Sequence, residues 1–121
     1  MNSEVFINTV LTNVKPGMIF ENPQRGVSTI LSIDENKIVY VRGSSRIPLP
    51  ISDIRDALNK FQDNVSTNDL REFRPSVFDS TRSGHSCNTT FLFTLLETLD
   101  FTKSGICGKG VRGNPYYIEL K

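Results

Sequence analysis

Apolar and polar positions along this chain fall into blocks with different periods. Near the amino terminus Val5, Phe6, Val10 and Val14, with Thr9 among them, recur at helical spacing, and Lys15-Pro16-Gly17 is a stop signal. Ser3 is the expected cap of this helix. From Gly26 onward β-branched residues take over. Val27 to Ile33 and Lys37 to Arg42 flank Asp34-Glu35-Asn36, which predicts a hairpin. The next extended piece, Ser45 to Pro50, carries two prolines and is therefore restricted to a sheet edge or an irregular strand. Ile54, Leu58 and Phe61 then lie on one face of a helix predicted over Ile51 to Gln62. A short helix follows over Ser66 to Phe73, with Ser66 or Thr67 as cap and Arg74-Pro75 as stop. The polar stretch Pro75 to His85 reads as an ordered loop. After it comes the most apolar segment, Thr89 to Leu99, a helix that Ser86 or Asn88 would cap. The end of the chain, from Gly105 to Leu120, reads as a hairpin with a glycine-rich tip. The expected fold is α+β: a small antiparallel sheet with an N-terminal helix, a helical unit and a C-terminal β-hairpin.

At 121 residues the chain is near the commonest domain size, and one domain spanning residues 1–121 is expected. Two cysteines are too few for a stapled secreted scaffold, and no leader-like pattern follows Met1, so a reducing cytoplasm is the expected location. Apolar runs fall short of the roughly 20 residues that span a bilayer. Net charge is +1, which says little until position is considered. Lys103, Lys109 and Arg112 lie in a stretch without acidic residues, a local excess that points to an anionic ligand.

Several residue groups could carry chemistry. Three helices followed by a hairpin, from Ile51 to Leu120, is the element order of a winged helix-turn-helix. The third helix, however, offers Thr90, Thr94, Glu97 and Thr98 outward and no Arg, Lys or Gln, which weighs against base reading and leaves phosphate contact from the hairpin. His85 and Asn88 stand at the start of that helix, where free backbone N–H groups favour a phosphate or carbonyl. His85 can also simply fix the loop, and Asn88 can be a plain cap. At the tip, Gly108, Gly110 and Gly113 permit close backbone approach while Lys109 and Arg112 supply charge-assisted donors. The tip lacks the order of a P-loop. Phe78, in a polar loop, either plugs the core or offers a stacking face. His85, Cys87 and Cys107 match no zinc spacing and lack a fourth ligand, so no metal and no cofactor are expected. No paired carboxylates and no Ser-His-Asp order are present, and the chain is expected not to be an enzyme.

The segments Tyr40 to Ile47, Phe78-Asp79-Ser80, Gly84 to Asn88 and Gly108 to Pro115 together resemble the first class of phage Thoeris anti-defence sponges, which sequester the cyclic ADP-ribose isomer made by TIR immune enzymes. The resemblance covers the chain from about Gly26 to the end. It implies a homo-oligomer built from dimers, either a dimer or a hexamer, with the signal held intact between subunits. Phe78 would stack on adenine, Asn88 would bond its edge, and Arg112 would hold the diphosphate. It further implies a second site for cyclic trinucleotides at Arg25 and Thr90. On this reading the partner is a small cyclic nucleotide, with nucleic acid disfavoured and no membrane involved. A winged-helix-like nucleic-acid-binding module of a restriction or regulatory system is the alternative.

Overall fold

The computed structural model describes residues 1–121 and is α+β, with two antiparallel sheets. Helix α1 spans Ser3–Asn13. Its cap is Asn2 rather than Ser3: the Asn2 Oδ1 accepts from the backbone N–H of Glu4 and Val5 at 2.9 and 3.2 Å. Ser3 is instead the first helical residue, buried, and its hydroxyl donates to Asn59 Oδ1 at 2.8 Å, tying α1 to the second helix.

Four strands follow in sequential order, β1 (Ile19–Glu21), β2 (Val27–Ile33), β3 (Lys37–Arg42) and β4 (Ser45–Pro50). The turn between β2 and β3 is set by Asp34, whose carboxylate accepts from the N–H groups of Asn36 and Lys37. Those two bonds hold its carboxyl below the ordinary range. The edge position expected for the proline strand is observed, since β4 pairs only with β3. Strand β1 was not expected. It has three residues between Gly17 and Pro23 and no period long enough to read. Phe20, Ile30, Ile38, Tyr40, Ile47 and Leu49 fill the inner face of this sheet.

The second half begins with α2 (Ile51–Lys60), whose Ile51, Ile54, Ala57 and Leu58 are buried. A short strand, β5 (Asn64–Ser66), precedes α3 (Thr67–Phe73). Ser66 caps α3 in a reciprocal capping box with Asp69. The stretch expected to be a loop is ordered into α4 (Pro75–Phe78) and a 3-10 turn at Ser80–Arg82. Asp79 holds that turn by accepting from Thr81 N, Thr81 Oγ1 and Arg82 Nε, which lowers its carboxyl to about 2. Helix α5 runs from Cys87 to Thr98, starting two residues before the expected Thr89. No side chain caps it, so neither Ser86 nor Asn88 plays the expected role. Strand β6 (Tyr117–Glu119) pairs antiparallel with β5, and the two arms of the terminal hairpin touch through isolated bridges at Cys107↔Tyr117 and Val111↔Asn114. The glycine-rich segment between them is called the wing below.

Helix α5 is the centre of the molecule. Phe91, Leu92, Phe93, Leu95 and Leu96 are each 0% exposed, and one contiguous cluster of 24 buried residues draws on both the sheet and the helical unit. The Phe91 ring stacks on Tyr40 from β3 at 3.8 Å and 11°, and Phe20 meets it edge-on. The sheet is thereby seated along one side of α5. Beyond the exposed Glu97 and Thr98 at its carboxyl end, the helix is open at its amino end, where Cys87 and Thr90 are only half-buried.

Candidate anion-binding cleft

Three elements converge at the open end of α5. The first is the turn Asn22–Gly26. Asn22 shapes it, accepting from the Ser28 hydroxyl at 2.7 Å and donating to the Arg25 carbonyl, while Gly26 takes a φ of 79° that closes the turn. Arg25 is left exposed at its tip. The second is α3, whose Thr67, Asn68 and, from the last turn, Arg71 face the same space; Arg71 Nη1 donates to Asn68 Oδ1 at 3.1 Å. The third is the wing. Its turn is closed by Val111 N–H to Asn114 O and Asn114 N–H to Val111 O, with Arg112 exposed between them. Gly110, at φ 69°, lies against the Tyr116 ring where any Cβ would overlap it.

Between these elements and the first residues of α5 lies a cleft of about 830 Å³. Arg25, Arg42, Arg71 and Arg112 line it, and no Asp or Glu does. Those are half of the arginines in the chain. The others are mostly neutralised: Arg55 pairs with Glu4, Arg74 with Asp53 and Asp56, and Arg82 with Asp79 and Glu72, leaving only Arg46 unpaired. A surface that sets its positive charge in one concavity and keeps carboxylates out of it has a positive local potential. The amino end of α5 adds a partial positive charge of its own.

Arg42 is the most constrained member. It is half-buried at the end of β3, its Nε donates to Ser28 Oγ at 3.0 Å and its Nη1 to Thr90 Oγ1 at 2.9 Å. Its Nη2 is buried with no partner. A guanidinium held by neutral hydroxyls alone, with an unmatched nitrogen, is costly to bury, and the rest of the side chain lines the cleft. The ring of Tyr40 lies beneath it, 5.9 Å from the guanidinium carbon, and burial pushes that phenol far above its ordinary range, so it stays neutral.

Of the residues singled out from sequence, the structure brings Arg25, Thr90 and Arg112 into this cleft. Lys109 points elsewhere, lining a smaller recess with Glu97 and Ile106. His85 is exposed and does not line the cleft. Two expectations need correction. Of the two readings of Phe78, the core plug is the one observed: the residue is fully buried, so the adenine stacking that the resemblance implied has no ring face available. Asn88 is also 0% exposed: its Oδ1 accepts from Tyr40 Oη at 2.8 Å and its Nδ2 donates to the carbonyls of Pro48 and Val77. Both amide donors are used and the side chain is closed off from the surface, so it does not meet a ligand edge. Arg42 and Arg71 were missed as site residues. Arg71 carried a readable signal, because no acidic residue stands three or four positions from it on α3.

No protein-family model, curated protein or solved structure matches this chain. The chemistry available at the cleft is multivalent, charge-assisted donation from planar guanidinium groups, suited to phosphate oxygens. Cys87 lines the cleft, with no imidazole beside it there.

Proposed function

We propose that this chain is a non-enzymatic module that binds nucleic acid through its phosphates in the four-arginine cleft. The observation that carries this reading is the gathering of Arg25, Arg42, Arg71 and Arg112, all without carboxylate partners, where the wing, α3 and the amino end of α5 meet. The connectivity supports it. Helices α2, α3 and α5 followed by a wing follow the order of a winged helix-turn-helix, and the β5–β6 pairing fastens the wing to the helices. The outer positions of α5, which include Glu97 and no Arg, Lys or Gln, made nucleic acid a poor expectation from sequence. That objection loses force once the charges come from the sheet, α3 and the wing.

A second reading keeps the sponge-like resemblance, in which the same cleft traps a cyclic nucleotide and the chain assembles as a homo-oligomer. Its support is size, since small-molecule sites occupy roughly 300–1,000 Å³. It has lost Phe78 and Asn88 as ligand contacts. One experiment separates the two. The protein is incubated with a labelled oligonucleotide and, separately, with a cyclic ADP-ribose isomer and a cyclic trinucleotide, and binding is measured over a range of salt. Oligonucleotide binding that weakens steeply with salt, and releases the oligomer unchanged on denaturation, supports the first reading. Salt-insensitive retention of an intact cyclic nucleotide, without oligonucleotide binding, overturns it in favour of the second.

A further inference from the structure

The walls of the cleft bear on which form of nucleic acid enters it, given the nucleic-acid reading above. A helix that reads duplex DNA needs a free flank to lay in a major groove about 12 Å wide. Helix α5 has none. Thr89, Phe91, Leu92, Phe93, Leu95 and Leu96 are at most 1% exposed and Thr94 is 5% exposed. The sheet covers one side through the Tyr40–Phe91 stack and the Arg42–Thr90 bond. The exposed positions, Glu97 and Thr98, lie at the far end, where the Glu97 carboxylate accepts from the N–H of Ile106.

What is open is bounded by two lips, the Asn22–Val27 turn and the wing, each carrying one exposed arginine, Arg25 and Arg112. Arg42 lies between them, half-buried, with its unmatched Nη2. The backbone ridge of a duplex can touch the two lips. A flexible single strand can also bring a phosphate down to Arg42. We propose that the cleft selects single-stranded nucleic acid over duplex, with Arg25 and Arg112 holding the strand at the lips and Arg42 receiving a phosphate that a duplex cannot deliver. The cleft volume of about 830 Å³ is room for a short stretch of one strand.

The test is fluorescence anisotropy with a fluorescein-labelled 12-nucleotide single strand and with the same sequence in a blunt duplex, each titrated with wild type and with Arg42→Gln. The expected result is at least tenfold tighter binding of the single strand. Arg42→Gln should weaken single-strand binding about tenfold, a larger factor than it costs duplex binding, so that the preference for the single strand narrows. Equal or tighter duplex binding overturns this proposal while leaving the nucleic-acid reading in place. Failure to bind either probe removes both. Should Arg42→Gln not fold, competition between unlabelled single strand and duplex for the wild-type protein gives the same decision without a variant.

Discussion

Replacing Asn88 with alanine separates a structural amide from a ligand-reading one. The side chain is fully buried and makes three hydrogen bonds: Tyr40 Oη donates to it, and it donates to the carbonyls of Pro48 and Val77. It thereby joins β3, β4, α4 and α5 at one point. Truncation leaves the phenolic O–H of Tyr40 without a partner and removes the bonds to the carbonyls of Pro48 and Val77, the latter of which still accepts from the N–H of His85. A lost bond costs about 1 kcal/mol net and an orphaned buried group about 1–3 kcal/mol. The combined loss is then about 3–5 kcal/mol, a large part of the roughly 5–15 kcal/mol that stabilises a domain of this size. With a urea m-value of about 2 kcal/mol/M, the unfolding midpoint should fall by roughly 2 M. Urea titration followed by far-ultraviolet circular dichroism measures this directly, since the chain has no tryptophan. A midpoint within about 0.3 M of wild type, accompanied by loss of ligand binding, would refute the structural assignment and restore Asn88 as a contact residue.

Phe78→Ala should destabilise by about 3–5 kcal/mol, as for other fully buried aromatics, and thermal melting should show the loss with or without ligand. Asp79, whose carboxyl is held at about 2 by Thr81 and Arg82 against an ordinary 3.8, contributes stability that is full above about pH 4 and is lost as pH falls toward 2. Asp79→Asn should therefore lower the melting temperature at pH 7 and leave it unchanged near pH 2; equal losses at both would contradict the linkage. Gly110→Ala, at a positive φ and against the Tyr116 ring, should distort the wing and weaken oligonucleotide binding, while Gly113→Ala, with open space around it, should cost only its backbone strain.

The α+β architecture was legible because its larger elements repeat a period long enough to read. The β2–β3 hairpin, the edge placement of the proline strand and the Ser66 cap all follow from local chemistry. Strands β1 and β5 were not legible: three residues are too few to show a period, and β5 in addition owes its existence to β6, a partner distant in sequence. The cleft shows the same division. Arg112 stands out in a glycine-rich tip, and Arg25 and Thr90 were named through resemblance. Arg42 becomes a site residue only because β3 ends beside α5, 48 positions away in sequence, where Thr90 can hold its guanidinium. Phe78 and Asn88 misled for a related reason: a polar neighbourhood along the chain said nothing about the apolar one that folding assembles around them.

The central claim is that charge gathered in the cleft, rather than charge in general, holds the ligand. Binding of the single-stranded oligonucleotide should be measured against salt for wild type, for Arg71→Ala/Arg112→Ala, and for Arg46→Ala/Arg55→Ala, which removes the same net charge outside the cleft. Four phosphate contacts at roughly 0.7 each predict a slope of log K against log salt of about −3 for wild type. The cleft pair should weaken binding at least a hundredfold and flatten the slope to about −1.5, while the outside pair leaves both within about twofold. Equal effects from the two pairs, or no effect from the cleft pair, would contradict the account.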